Sequence, residues 1–381
     1  MNFELNEEQQ MVRASVREFA ENEIAPRARE YDETEKFPRE QLDGLAELGI
    51  LGMIIPEEYG GAGFDTVSYA VALEEIAHAD ASVAVIVSVT NSVCCYPILR
   101  YGTEEQKQKF LVPLAKGEKL GAFCLSEPQA GSDAANLKTR AVEDGDNYII
   151  NGTKSWVTNG GYSDTHIVMA VTGENNGKKE VTAFIVEKET EGLAVSSVEH
   201  KMGQRASQTT ELSFTDARVP KANILGNIGE GLRVAFSSLD NGRIGIASLS
   251  VGVAQAAFDE ALQYSKDRVA FGKPIAEHQA IQMKLATMAT EIEAARLLTL
   301  RAAAMKDANH KQIGVYSAQA KLFASETANR VCAEAIQIHG GNGYSRHYNV
   351  EKYYRDARIT TIYEGTSEMQ RIIISRGILK D

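Results

Sequence analysis

In TIYEGTSEMQR, residues 361–371, an apolar run ending in Ile362 and Tyr363 delivers one carboxylate, Glu364, onto a glycine. Ser367, with Gln370 three positions on, matches a capping box, so the spacing predicts a helix starting near Glu368 and a tight turn at Gly365. Glu364 then stands beside free backbone N–H groups, either as a surface acid answering a helix dipole or as a carboxylate with chemistry to do. A second candidate is Trp156, the sole tryptophan, two residues before Thr158 on a predicted strand, so both side chains share a face. An aromatic plane beside a hydroxyl suits a flat heteroaromatic ring that needs stacking and one hydrogen bond; an ordinary core tryptophan is the plainer reading.

Four further stretches carry groups of the right type. FCLSEPQAGSD, residues 123–133, is a turn-forming loop whose N–H and hydroxyl donors can hold an anion or a ring carbonyl, or merely turn the chain. LDNGR at 239–243 opens a long helix with Asp240 and Arg243 on one face, as an ion pair or as ligand contacts. RVAFGKP at 268–274 sets Arg268 and Lys273 around Phe271 and Gly272 at a helix end, and QIHGGNGY at 337–344 ends another helix on glycines. His339 has no second ligand at metal spacing, so no metal site is assigned. Neither a Ser-His-Asp arrangement nor a P-loop is readable.

The elements that must position these groups fall into three parts. From Asn6 to about Lys116 the pattern is helical, with apolar stripes such as Val12, Val16, Phe19 and Ala20, and YGGAGF at 59–64 reads as a loop rather than a dinucleotide fingerprint. After Gly121, β-branched and aromatic segments alternate with turns. NYIINGTKSWVT suggests a hairpin with a type I′ turn at Asn151-Gly152, and further strands are expected at 165–171, 181–187, 193–199 and 209–215. From about Gly229 the chain is helical again. Ile281, Leu285, Met288, Ile292 and Ala295 trace one buried stripe, and helices at 244–264 and 315–338 complete the case for a four-helix bundle. The boundaries read as 1–118, 119–228 and 229–381.

Composition bounds the partners. A chain of 381 residues with 44% hydrophobic and 24% charged residues can bury a large core. Its net charge of −12 argues against nucleic acid or an anionic membrane as main partner. No run of about 18 consecutive apolar residues suggests stable membrane insertion, and no targeting segment is visible. Cys94, Cys95, Cys124 and Cys332 fit neither a disulfide framework nor zinc spacing, so a cytoplasmic setting is expected.

Taken in order, FCLSEPQAGSD, NGTKSWVTNG, LDNGRIGIAS, RVAFGKP, QIHGGNGY and YRDARITTIYEGTSEMQR resemble the acyl-CoA dehydrogenase family along essentially the whole chain. The resemblance implies an N-terminal helical domain, a middle β-barrel and a C-terminal four-helix bundle in a homotetramer, with FAD where the three parts meet. It implies Trp156 and Thr158 flanking the isoalloxazine ring, with Phe123, Leu125, Ser126 and Ser132 in the flavin loop and Ser132 also near the acyl-CoA. Arg268, Phe271, Gln279, Gln337 and Gly341 are similar to residues that hold the FAD pyrophosphate and adenosine of a neighbouring subunit. Thr366 and Glu368 match FAD contacts, while Asp240, Arg243 and Gly365 match substrate contacts. Glu364 matches the catalytic base, which would take the α-proton of an acyl-CoA thioester while the β-hydrogen leaves as hydride to the flavin, giving a trans-2-enoyl-CoA.

Relatives of isovaleryl and long-chain type carry their base at the position of Gly242, which cannot serve. LDNGRIGIAS, SVTNS at 88–92 and the Glu364 motif most resemble the short-chain, butyryl-type members, with electrons passing to an electron-transfer flavoprotein. A branched or cyclic acyl group, an oxidase, or a flavin-binding protein without catalysis are the alternatives. Ser126 and Gln129 stand where many relatives have threonine and glycine.

Overall fold

The computed structural model describes residues 4–379. The N-terminal part is helical: α1 Glu7–Phe19, α2 Ala25–Thr34, α3 Arg39–Glu47, α4 Thr66–Ala79, α5 Ala81–Val89, α6 Tyr96–Tyr101, α7 Glu104–Gln106 and α8 Val112–Ala115. Side-chain oxygens start the principal helices. Asn6 forms a capping box with Gln9, Asp65 accepts from Ser68 N, and Asp80 accepts from Ser82 N and Val83 N. The segment Ala81–Tyr101 is long and apolar enough to cross a membrane, but 89% of its most apolar stretch is buried inside the fold, which makes it a core helix.

The middle part is one eight-stranded sheet: β1 Gly121–Cys124, β2 Arg140–Asp144, β3 Asn147–Thr158, β4 Thr165–Asn175, β5 Lys178–Glu187, β6 Leu193–Val198, β7 Thr209–Pro220 and β8 Ile224–Leu225. Its order is β6-β7-β3-β2-β4-β5-β8, with β1 parallel to β4. Alternation explains how it serves two cores. Val168 and Ala170 of β4 face an interior shared with Tyr148, Ile150, Phe184 and Phe214, whereas Ile167 and Met169 face the helices. The sheet therefore curls around its own core as an open barrel, with β6 and β8 as its hydrogen-bonded ends.

The Asn151-Gly152 hairpin is not there, because β3 runs straight through those residues. Asn151 instead donates to Asp216 Oδ1 at 3.0 Å and accepts from Asp216 N at 2.8 Å, across a register shift between Ile150 and Gly152. A Cβ at Gly152 would come within 2.6 Å of Thr139 Cα, so glycine is needed for strand approach rather than for a turn. Two-residue turns with both φ positive occur elsewhere, at Asn176-Gly177 between β4 and β5 and at Phe271-Gly272.

The C-terminal part comprises α9 Gly231–Asp267, a small hairpin of β9 Val269–Ala270 and β10 Lys273–Pro274, α10 Gln279–Asp307, α11 Ile313–His339, α12 Val350–Arg358 and α13 Ser367–Ile378. Three long helices thus pack with the shorter α12 and α13 beside α11. Met288, Ile292 and Ala295 are buried as the stripe requires, with Ile281 and Leu285 partly buried at its outer end. The segment 239–243 lies well inside α9 rather than at its start. α9 is the central rod, packed by α4, α5, α10, α11, α12 and β5, which is why it is buried on all sides from Asn241 to Ala254.

Candidate active site

After α12 a single helical turn, Ile359–Thr361, leads into Glu364 at φ 52° and Gly365 at φ 95°. A glutamate in the left-handed region costs about 1–2 kcal/mol, so other groups must hold it there. Lys321 Nζ donates to Gly365 O at 2.7 Å. Gln370 Nε2 donates to Gly365 O at 2.8 Å and to Glu364 O at 3.2 Å. On the other side Gln204, from the loop before β7, donates to Tyr363 Oη at 3.1 Å and to the Asp356 carbonyl, while its backbone N–H donates to the Asp356 carboxylate. The helix expected near Glu368 begins one residue sooner. Its cap is Thr366, which accepts from Met369 N, because Gln370 is occupied by the turn and cannot close a box with Ser367.

The Glu364 carboxylate lies against α9 at Gly242, where a Cβ would overlap Oε2 and sit 2.8 Å from the carboxyl carbon. A side chain at 242 and a glutamate at 364 therefore compete for one space. The residue as a whole is half-buried, but Oε2 is closed to solvent and accepts no hydrogen bond. Burial pushes the Glu364 pKa up to about 7, with the positive charges of Lys321 and Arg243 pulling the other way. Arg243 is itself buried and bonds Asp240 at 2.6 Å, leaving its Nε unpartnered. The backbone N–H of Glu364 donates to no other group among the described residues. A carboxylate of near-neutral pKa with a free oxygen, next to a free backbone donor, can take a proton from a weak acid and stabilise the oxyanion that results.

A second constellation lies on the sheet. Trp156 is held at φ 60° by a register shift between Lys154 and Val157, and it is 64% exposed rather than in the core. Thr158 is half-buried on the same side, and Val157 between them is fully buried. Ser155 N donates to Ser126 O at 2.9 Å, so the loop of residues 123–133 runs directly beside the tryptophan. That loop is fastened from below: Lys154 Nζ, fully buried, donates to Leu125 O at 3.1 Å and to Glu127 Oε1 at 2.8 Å. Phe123 is partly buried and Leu125 buried at its start, while Ser126 is half-buried and Ser132 exposed.

The remaining expected residues gather at one end of the C-terminal helices. Tyr264 stacks on His339 at 4.1 Å, tying the end of α9 to that of α11, so Arg268 and Phe271 lie near Gln337 and Gly341. Arg268, Phe271, Gln279, Gln337 and Gly341 are all exposed, and Arg268 makes no ion pair among the described residues. Phe271 is 96% exposed and meets only the edge of His278. Glu368 is exposed in the first turn of α13. No hydrogen bond or ring contact joins this group to Trp156 and Thr158. An exposed indole with hydroxyls beside it, and a free arginine with an unpacked aromatic ring, fit the two ends of a flavin dinucleotide. Among the described residues there is no cluster suited to a metal.

Family models for the acyl-CoA dehydrogenase N-terminal, middle and C-terminal domains match residues 6–118, 122–217 and 229–379. The chain belongs to the acyl-CoA dehydrogenase family. It is 47% identical to the short-chain specific acyl-CoA dehydrogenase of Clostridium acetobutylicum, over 100% of both chains. The butyryl-CoA dehydrogenase structure from Megasphaera elsdenii superposes with a TM-score of 0.97 at 46% identity, covering 100% of each. A chain described with the electron transferring flavoprotein of Acidaminococcus fermentans and flavin-based electron bifurcation gives 0.98 at 45%, again over 100% of each.

Sequence reasoning missed the groups that hold the acyl-CoA dehydrogenase turn: Lys321, Gln204, Tyr363 and the turn-binding use of Gln370. It missed the Lys154–Glu127 pair as well. For Lys321 a signal existed, since a lone cation sits within the small-residue buried face of Ser317, Ala318, Ala320, Ala324 and Ser325. Gln204 left none, because it acts through a tertiary contact more than 150 positions away in sequence.

Proposed function

We propose that the chain catalyses FAD-dependent α,β-dehydrogenation of a short, straight acyl-CoA thioester to the trans-2-enoyl-CoA and passes the electrons to an electron-transfer flavoprotein. The observation that carries this reading is Glu364, a carboxylate pushed up to about 7 with a closed, unbonded oxygen. An α-proton next to a thioester is weakly acidic, and an ordinary glutamate near 4.3 is too weak a base for it. Burial closes part of that gap. Glu364 takes the α-proton, while its backbone N–H is placed to donate to the thioester oxygen as negative charge develops there. Arg243 and Asp240 mark the CoA side of the carboxylate. Trp156, Thr158 and Ser126 would hold FAD, which when bound would supply the acceptor for the β-hydrogen and its electron pair, so that loss of a proton and a hydride leaves one double bond.

The short chain rests on α9. Gly245 follows Gly242 by three residues, about 4.5 Å along the helix axis. At Gly245 the way is closed by the Tyr69 hydroxyl, 2.8 Å from where a Cβ would stand, with Leu73 and the Ser88 hydroxyl beside it. Closure of the helix face one turn beyond Gly242 supports a short acyl chain. Names of relatives at 47% identity, among them the Clostridium acetobutylicum enzyme, support the same length. The exposed Phe271, Tyr344, Met283 and Val269 support a homotetramer in which a neighbouring chain completes the dinucleotide site, and four free cysteines support a cytoplasmic setting. Initial rates with acyl-CoA esters of three to eight carbons test the reading, with the electron-transfer flavoprotein as acceptor. A maximum at four carbons is expected, whereas preference for a branched or cyclic ester overturns the substrate. Oxygen uptake without the acceptor at the same rate overturns the partner.

A further inference from the structure

The described residues contain three fully buried lysines of different character. Lys154 touches the Glu127 carboxylate at 2.8 Å, and Lys352 lies 2.7 Å from Asp356 and 3.3 Å from Asp80. Both are ion pairs that fasten one segment to another. Lys321, with 0% of its surface exposed, has no carboxylate in contact. Its one hydrogen bond runs to Gly365 O, the carbonyl just after Glu364. Burying an ammonium without a contacting anion is costly, so a nearby negative charge is needed to keep it protonated. The carboxylate whose charge acts most strongly on it is Glu364, which stands beyond ion-pair distance.

We propose that Lys321 is a positioning residue for the catalytic base: its ammonium clamps the Gly365 carbonyl, fixing the left-handed turn that aims Glu364, and sets a positive charge by that carboxylate without touching it. Keeping the ammonium off the carboxylate matters. A direct ion pair would occupy an oxygen that must accept the substrate proton and would hold the base in its ordinary acidic range. At a distance the cation moderates the effect of burial and leaves Oε2 free, as observed. The inference rests on the reading of Glu364 as the base.

Other groups face the same carboxylate and set the background. Arg243, paired with Asp240, comes from α9, Tyr69 from α4, and Tyr363 from its own segment, while Glu326 and Glu368 act on the lysine. Of the two cations, Lys321 is the larger influence on Glu364, and Arg243 is already matched by Asp240. Burial brings Lys321 down to about 8, so it remains charged over the range in which Glu364 ionises.

The test is the pH profile of kcat and KM with butyryl-CoA for the FAD-loaded enzyme and its Lys321→Met, Lys321→Gln, Lys321→Arg and Gln370→Leu forms. The wild-type limb is expected to rise through about 7. Lys321→Met and Lys321→Gln are expected to move it at least one unit higher, which is a loss of kcat of about fivefold or more at pH 7 with KM little changed. Gln370→Leu removes a clamp but no charge, so the rate falls and the limb stays. A limb that does not move in the two neutral variants, whatever their rate, overturns the proposal and leaves the lysine a packing residue. If those variants do not fold, Lys321→Arg still decides, since it keeps the charge and a displaced limb there contradicts the account. Failure of the underlying reading looks different: Glu364→Gln would then retain both activity and the limb.

Discussion

The turn at Glu364 and the edge at Trp156 and Phe271 are built on opposite terms. The turn is finished within one chain: two left-handed residues are held by Lys321, Gln370 and, through Tyr363, Gln204, with the carboxylate fitted against Gly242. The edge is unfinished, with an indole 64% exposed, a phenyl ring 96% exposed and an arginine that meets no acid among the described residues. The base must be aimed to a fraction of an ångström and kept out of water before any ligand arrives, because the ordering of the catalytic group is then done by folding. A dinucleotide brings its own large surface, so its cradle can be left open in the single chain until the ligand binds.

The largest expected effect falls on the finished region. Glu364→Gln should bind FAD with unchanged stoichiometry and lose about 10²–10⁴-fold in kcat, the usual value of a positioned general base. Retained turnover would put the base elsewhere. Gly242→Ala comes next. A methyl group there overlaps Oε2, so the carboxylate must swing away, and about a 10²-fold loss of kcat is expected with FAD content unaltered. If instead FAD is lost and kcat per bound flavin stays constant, the turn is not the rigid element described.

The open region should respond more gently and in a different quantity. Trp156→Ala removes an exposed stacking plane worth about 0.5–1.5 kcal/mol, so FAD affinity falls roughly two- to twelvefold while kcat at saturating FAD holds within twofold. Phe271→Ser touches little within the chain and should leave the thermal stability of the flavin-free protein unchanged. Under the proposed homotetramer it should, however, weaken flavin retention on dilution. Equal flavin retention at all dilutions would mean that one chain makes the whole cradle.

The last effect is one of stability. The Glu364 pKa is raised to about 7 in the fold against about 4.3 in an unfolded chain, so its carboxylate disfavours the folded state as pH rises between those values. The penalty is absent below about pH 4 and complete above about 7. Glu364→Gln should therefore raise the melting temperature at pH 8 by more than at pH 5. An equal gain at both would show that burial does not perturb the carboxylate.

The same contrast explains how much was legible in the sequence. The three-part order, strands β4 to β7 and the α10 stripe follow from periodicity, and Glu364 was marked by its placement before a glycine and a capped helix. Asn151-Gly152 misled because the dipeptide signals a turn only when its flanks pair with each other. Here Ile149 and Ile150 pair with Ala141, Val142, Ala217 and Arg218, and the turn falls at Asn176-Gly177. Ser367 misled for a similar reason, since Gln370 was claimed by a carbonyl that only tertiary structure brings near. Lys321 and Gln204 act across sequence separations of 44 and 159 residues, which no local pattern records.

The central claim is that the closed carboxylate at Glu364 and the flavin on the Trp156 edge act on one thioester. Anaerobic addition of butyryl-CoA to the FAD-loaded protein, followed through the flavin's long-wavelength absorption, tests it most directly. Rapid bleaching in the wild type, at a rate that rises with pH through about 7 and is lost in Glu364→Gln, is the predicted result. A bound flavin that butyryl-CoA leaves oxidised, or bleaches equally fast in Glu364→Gln, would contradict the account.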